Sequence, residues 1–232
     1  MVYVISDLHG YPLDRFLRLL EKASFSAEDT LYVLGDVIDR REGGPKLIRW
    51  MMSQPNVRFL LGNHEKMMLD CESFIDGTPT DAPSNLSFTK RRTFMVWEQN
   101  GGDATMYALS AMRDKEIAYM LDYLKKAPLY YEITVGERAF VLTHSGLMNF
   151  APDKPLAAYE ERELLWERPM PQTRYYEDRK VVFGHTPTLF YSGATPGRPL
   201  ITETWINVDV GAAKGLPPLL FRLDDSKEFY GE

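Results

Sequence analysis

One pattern, repeated three times in the first 70 residues, constrains the fold more than any other feature: a short apolar run, a polar turn, then apolar residues at helical spacing. Val2–Ile5 runs into Ser6-Asp7-Leu8-His9-Gly10, after which Leu13, Phe16, Leu17, Leu19 and Leu20 mark one face of a helix. Leu31–Leu34 ends at Gly35-Asp36 and is followed by a helical stretch around Leu47–Met52. Val57–Leu61 ends at Gly62-Asn63-His64-Glu65. Unbroken apolar strands are buried on both faces, and their alternation with helices builds a parallel sheet. The expected core is βαβαβ.

The second half changes character. Asp76–Arg92, rich in Pro, Thr, Ser and Asn, reads as a loop, with Lys90-Arg91-Arg92 a solvated charge run. Gly101-Gly102 reads as a turn, and Asp103–Lys126 as mostly helical until Pro128. Tyr130–Val135 and Arg138–Thr143 flank Gly136-Glu137, a two-residue hairpin signal. Further strands are expected at Lys180–Phe183, Thr204–Val208 and Leu219–Leu223. No repeat or linker divides the chain. The reading is one α/β domain over residues 1–232, with two packed sheets flanked by helices and a loop and helical insertion at about 72–126.

Charge and cysteine content narrow the function classes. With 27 basic and 33 acidic residues and a net charge of −6, the chain gives no support for nucleic-acid binding. No apolar run approaches the ~20 residues of a membrane helix. Cys71 is the only cysteine, so an internal disulfide is excluded and a reducing compartment is expected. Met1–Ile5 already reads as a strand entering a charged motif rather than as a leader, so the expected location is cytoplasmic.

Only four histidines occur: His9, His64, His144 and His185. Each follows an expected strand, and each has glycine within two residues. Taken singly, a histidine at a strand end is more often a satisfied structural group than a ligand. Four in this setting, with Asp7, Asp36, Asp39 and Asn63 in the same turns, point to one crevice at the carboxyl ends of the strands. Imidazoles with carboxylates suit divalent first-row metals, and the lack of clustered cysteines disfavours structural zinc or iron–sulfur sites.

Asp7-x-His9, Gly35-Asp36-x-x-Asp39-Arg40, Gly62-Asn63-His64-Glu65, Thr143-His144-Ser145-Gly146 and Gly184-His185-Thr186-Pro187, in this order, resemble the calcineurin-like metallophosphoesterase superfamily. Within it they are most similar to the serine/threonine phosphoprotein phosphatases of the bacterial and phage branch, which includes the phage lambda phosphatase. The resemblance implies a binuclear centre of divalent ions, Mn2+ foremost and Fe or Zn as alternatives. Asp7, His9 and Asp36 would hold one ion; Asp36, Asn63, His144 and His185 would hold the other. It further implies attack on phosphorus by a hydroxide bridging the ions, with His64 as general acid, Asp39 orienting it, and Arg40 gripping the phosphoryl group. Leu164-Leu165-Trp166-Glu167-Arg168 is similar to a second arginine segment, which would bring Arg168 to the same group, although an arginine beside a core Trp166 is the plainer reading. The implied substrate is a phosphoprotein or phosphopeptide, with small phosphate esters also accepted.

Departures from the pattern bear on specificity. Ser6 stands where glycine is usual, a change expected to matter little. Arg41 replaces a glycine, which would be costly if that position had a positive φ. Leu61 and Ser145-Gly146 also differ from the larger members. The alternative function is hydrolysis of dinucleoside tetraphosphates, whose enzymes share the metal motifs but tend to lack the Asp39 counterpart and to end the third motif in Asp. A non-catalytic module on the same scaffold is a third possibility, disfavoured by the complete inferred set. Met51-Met52 and Met67-Met68 are read as core filler, Cys71 as a small buried residue, and Tyr175-Tyr176 as neighbours of the cleft without assigned role.

Overall fold

The computed structural model describes residues 1–75 and 87–232. In chain order it contains β1 (Val2–Ile5), α1 (Leu13–Lys22), β2 (Thr30–Val33), α2 (Gly44–Met52), β3 (Val57–Phe59) and α3 (Asn63–Asp70). Three further helices follow: α4 (Phe88–Trp97), α5 (Asp103–Ser110) and α6 (Asp114–Lys125). Then come β4 (Tyr130–Val135), β5 (Arg138–Thr143), α7 (Glu161–Leu165), β6 (Arg179–Phe183), β7 (Leu200–Ile201), β8 (Trp205–Asn207), β9 (Leu219–Arg222) and β10 (Lys227–Tyr230).

Two five-stranded sheets result, ordered β10-β9-β1-β2-β3 and β4-β5-β6-β8-β7. The pairs β1–β2, β2–β3, β5–β6 and β6–β8 are parallel. Strand alternation explains the layering. Val4 faces the second sheet, in a core with Leu34, Leu142, Val182, Ile206 and Phe221, whereas its neighbours Tyr3 and Ile5 face the helices. Phe16 and Leu19 of α1, Leu47 and Met51 of α2, and Met120 and Leu121 of α6 cover that outer face. Val141, Val181, Phe183 and Trp205 project from the other side of the second sheet onto Leu156, Leu164 and Tyr175. The α/β class with two packed sheets and flanking helices is therefore observed.

Several local expectations change. The stretch expected as a loop is helical from Phe88, because Ser87 Oγ accepts from Lys90 N at 3.3 Å and caps α4; residues 76–86 lie outside those described. Lys90, Arg91 and Arg92 are exposed on that helix. The 103–126 stretch is mostly helical as expected, in two pieces, since Glu116 accepts from Arg113 N at 3.3 Å and starts α6 afresh. The Gly136-Glu137 hairpin is present, with paired strands on both sides. Short strands β7 and β10 went unanticipated. Met51, Met67, Met68 and Cys71 are buried as expected, but Met52 is exposed.

Candidate active site

The turns after β1, β2, β3, β5 and β6 meet at one end of the two sheets, and they carry all four histidines. The backbone there is strained: of nine non-glycine residues with positive φ among the described residues, six are Asp7, His9, Asp36, Asp39, Arg40 and His185. A left-handed residue with a Cβ costs roughly 1 kcal/mol, less for Asp, so the fold holds these side chains against local preference. Glu65 organises the second turn. Its buried carboxylate accepts from the backbone N–H of Asp36 (2.9 Å), Val37 (2.8 Å), Ile38 (3.2 Å) and Gly62 (3.1 Å).

Two histidines present a ring nitrogen to Asp36 for a definable reason. His144 Nδ1 lies 2.7 Å from the Leu34 carbonyl and His9 Nδ1 lies 3.1 Å from that of Ile38. A carbonyl only accepts, so each ring carries its proton on Nδ1 and turns a lone pair outward from Nε2. His144 Nε2 then sits 2.8 Å from Asn63 Oδ1 and 3.4 Å from Asp36 Oδ1. His185 Nδ1 is also 2.8 Å from Asn63 Oδ1, and its Nε2 is buried without a hydrogen-bond partner. Acceptor atoms crowded this closely, with no proton between His144 and Asn63, suit a shared cation. On the other side, His9 Nε2 is 3.7 Å from Asp36 Oδ2 and 3.8 Å from Asp7 Oδ1.

Donor atoms of His9, Asp36 and His64 form one group within 4.8 Å of one another, and those of Asp36, His144 and His185 form a second. Asp36 belongs to both. The first group contains His64 rather than Asp7. His64 has other commitments: its Nδ1 is 2.7 Å from Asp39 Oδ2 and its Nε2 is 3.3 Å from Arg40 Nη2. Asp7 belongs to neither group, although its Oδ1 lies 3.8 Å from His9 Nε2.

Burial governs the electrostatics. It drives Asp7 up to about 6, with Asp36 adding to the shift, and Glu65 up to about 7. It pulls His185 down to about 3, helped by His144, and His9 well below its ordinary value. Asp36 moves the other way: burial would raise it, but His144, His64, His9 and His185 together hold it down. Asp39 is raised by burial despite hydrogen bonds from His64, Thr105 and Trp97. For His64 burial opposes the charge, yet Asp36 and Asp39 outweigh it and raise the imidazole. Neutral imidazoles among excess buried carboxylates are the form in which such groups bind divalent ions.

Some residues differ from expectation. Ser6 is more than a neutral exchange, since its Oγ donates to Asp7 Oδ2 at 2.6 Å. Arg41 avoids the positive φ, which falls on Asp39 and Arg40 instead. Its guanidinium donates to the carbonyls of His9 (3.0 Å), Leu8 (3.4 Å) and Ala212 (2.8 Å), tying three turns together. Trp166 is not core: it is 38% exposed, with its ring edge-on to His185 at 6.0 Å. Arg168 beside it is exposed, and its charge contributes to the lowering of His185. Ser145 anchors this segment by accepting from Glu167 N at 3.0 Å. Tyr175 is buried and braces the turn after β5, its hydroxyl accepting from Leu147 N at 2.9 Å.

Three buried residues outside the five motifs also reach the site. Asp209 is buried and raised well above its ordinary value by burial and by Asp7; the apolar run ending in Val208-Asp209-Val210-Gly211 repeats the strand-end pattern and marked it. Trp97 and Thr105 reach Asp39 from the helices between β3 and β4, a contact no local pattern announces. Among the described residues, no helix is long and apolar enough to cross a membrane.

Comparison with known proteins agrees with this arrangement. The calcineurin-like phosphoesterase family model matches residues 1–211. A symmetrical bis(5'-nucleosyl)-tetraphosphatase of Buchnera aphidicola is 23% identical over 162 residues, covering 69% of this chain and 49% of that protein. Its namesake from Delftia acidovorans is 43% identical over 70 residues, covering 29% of this chain and 25% of that protein. The chain thus spans about half or less of these relatives. A solved structure provisionally named a diadenosine tetraphosphatase superposes with a TM-score of 0.66 at 17% identity, covering 99% of this chain and 91% of that one. A protein serine/threonine phosphatase from Saccharomyces cerevisiae gives 0.56 at 15% identity, covering 99% and 78%. At such identities the solved structures speak for the fold alone. The match over residues 1–211, with the family's metal-binding chemistry represented by two buried donor groups sharing Asp36, makes the chain a member of the calcineurin-like phosphoesterase family.

Proposed function

We propose that the protein is a metal-dependent hydrolase of phosphate P–O bonds in which His64 donates a proton to the departing oxygen. The observation that carries this reading is the Asp39–His64 pair at 2.7 Å, standing with Arg40 beside two donor groups that share Asp36. Asp7, His9 and Asp36 would hold one divalent ion, and Asp36, Asn63, His144 and His185 a second, with Mn2+ the ion to supply first and Fe or Zn the alternatives. Ions held there supply Lewis-acid charge stabilisation and acidify water.

Asp39 keeps the Nδ1 proton of His64, which leaves Nε2 to accept from Arg40 here; Nε2, facing Asp36, is the atom that would carry the transferable proton once the ring is charged and Arg40 turns to the phosphoryl group. The Arg40 guanidinium is placed to leave His64 for phosphoryl oxygens, which an arginine binds through two N–H groups at once. Arg168, exposed in the segment after α7 and close enough to lower His185, would reach the same oxygens from that side. General-acid assistance of this kind contributes about 10²–10⁴-fold.

For the substrate we favour a dinucleoside tetraphosphate, because the named relatives and a solved neighbour of similar length carry that activity in their names. The Asp39–His64 pair favours a second reading, phosphoserine or phosphothreonine on a protein. A nucleotide leaves as a stabilised anion, whereas an alkoxide is a strong base that needs the proton. The deciding experiment is kcat/KM for diadenosine tetraphosphate against a phosphothreonine peptide, with Mn2+ added. A higher value for the dinucleotide supports the first reading; a higher value for the peptide replaces it with the second. Hydrolysis of neither, in protein shown to bind Mn2+, sinks both.

A further inference from the structure

We propose that Trp97 and Thr105, from the helices inserted between β3 and β4, are positioning residues that hold the Asp39–His64 pair and thereby set which leaving groups the enzyme releases. The proposal rests on the reading of His64 as proton donor. The Asp39 carboxylate is surrounded. Its Oδ2 receives His64 Nδ1 at 2.7 Å and Trp97 Nε1 at 3.0 Å. Its Oδ1 receives Thr105 Oγ1 at 2.6 Å and Trp97 Nε1 at 3.2 Å. The same Thr105 oxygen accepts from Asp39 N at 2.9 Å, so one hydroxyl fixes both the backbone and the side chain of a residue held at φ 68°. Trp97 and Thr105 are fully buried.

The turn joining α4 to α5 is built for this grip. Residues Glu98–Gly102 join α4 to α5 through a kink at Gly101, where the backbone leaves helical dihedrals. Gly101 is at φ 98°, and its carbonyl accepts from Arg40 N at 2.9 Å. A Cβ there would stand 2.8 Å from Arg40 N and Cγ, and one on Gly102 would stand 2.6 Å from the Trp97 ring. Both glycines are needed for the turn to lie against Arg40 and the indole, so it is more than a simple reversal. The insertion thus steadies two consecutive residues, Asp39 and Arg40, whose side chains both meet His64.

The consequence is chemical. When the P–O bond breaks, its electron pair goes to the leaving oxygen, which takes the Nε2 proton, and His64 becomes the neutral ring with Nδ1–H still on Asp39. A carboxylate free to rotate would let the ring turn and Nε2 lose its aim. Good leaving groups tolerate that loss; poor ones do not.

The test uses full-length Trp97→Phe, which removes only the N–H donor function while keeping a buried aromatic, and Thr105→Val with Thr105→Ser as its conservative partner. The ratio of kcat/KM for para-nitrophenyl phosphate to that for phenyl phosphate should rise by about fivefold or more in Trp97→Phe and Thr105→Val, and stay near wild type in Thr105→Ser. In protein without added metal, the low-field Nδ1–H proton resonance of His64, assigned by its loss in His64→Asn, should shift or broaden in the first two variants only. An unchanged ratio and resonance in both variants, or a Thr105→Ser that behaves as Thr105→Val, overturns the proposal. If Thr105→Val does not fold, Trp97→Phe decides. If wild-type protein hydrolyses neither aryl ester, nor diadenosine tetraphosphate, nor the phosphothreonine peptide, the hydrolase reading fails, and the resonance alone still tells whether the two residues hold the pair.

Discussion

The strand ends of the site and the stretch after β5 that covers the second sheet treat charge in opposite ways. At the strand ends, Asp7, Asp36, Asp39, Glu65 and Asp209 are all buried, several on backbone that strains to hold them. Between residues 147 and 179 charged groups instead pair with opposite charges, Arg174 and Arg179 at the surface and Glu163 largely covered but met by a lysine. Glu163 accepts from Lys154 at 2.8 Å and from Asn149 at 2.9 Å, Arg174 pairs with Glu203, and Arg179 pairs with Asp178. Buried carboxylates cost stability unless something compensates them, whereas exposed pairs change it little. The contrast separates charge placed for chemistry from charge that merely keeps a surface wet.

Breaking the comparison at its strongest point means removing the group both clusters share. Asp36→Asn should lower activity on the order of 10³-fold or more and weaken both ions in a calorimetric titration; two undisturbed ion sites would show that Asp36 is not shared. A smaller effect is expected from Glu65→Gln, which turns an amide N–H2 toward two of the four backbone donors. That substitution should cost about 1–3 kcal/mol in denaturant unfolding, and an unchanged midpoint would mean that the turn after β2 holds itself. The smallest effect belongs to the covering stretch. Lys154, Asn149 and the Glu160 N–H hold Glu163 down at about 2. Its contribution is therefore complete above its ordinary value near 4.5 and fades as pH falls toward 2. Thermal unfolding of Glu163→Gln should differ from wild type near neutral pH and converge with it in acid; a gap that persists at pH 2 would contradict this.

What the sequence revealed followed from local patterning. The three apolar runs ending at Asp7, Asp36 and Asn63 could be read because a strand, its turn and its helix are contiguous, and the four histidines mark where strands stop. Trp97 and Thr105 were illegible for the complementary reason: each meets Asp39 across some sixty residues of chain, at |i−j| of 58 and 66. Trp166 misled because a tryptophan after Leu164-Leu165 looks like continued core, whereas α7 ends at Leu165 and turns the next ring toward His185. At Arg41 the cost of a positive φ pointed to another path for the loop, and the positive φ does fall one and two residues earlier along the turn.

The pairing of β1 with β9 has a consequence for synthesis on the ribosome. Tyr3 lies opposite Arg222 and Val4 opposite Phe221, so β1 waits for a strand made much later in the chain. Through most of translation, β1 can gain β2 on one side while its other edge keeps unpaired backbone groups, an invitation to pair with a neighbouring chain. The nascent protein is therefore most exposed to aggregation before Leu219–Arg222 clears the exit tunnel. Slowing elongation ahead of that segment should lengthen the vulnerable interval, whereas a chaperone that shields the early β-α-β unit should shorten it.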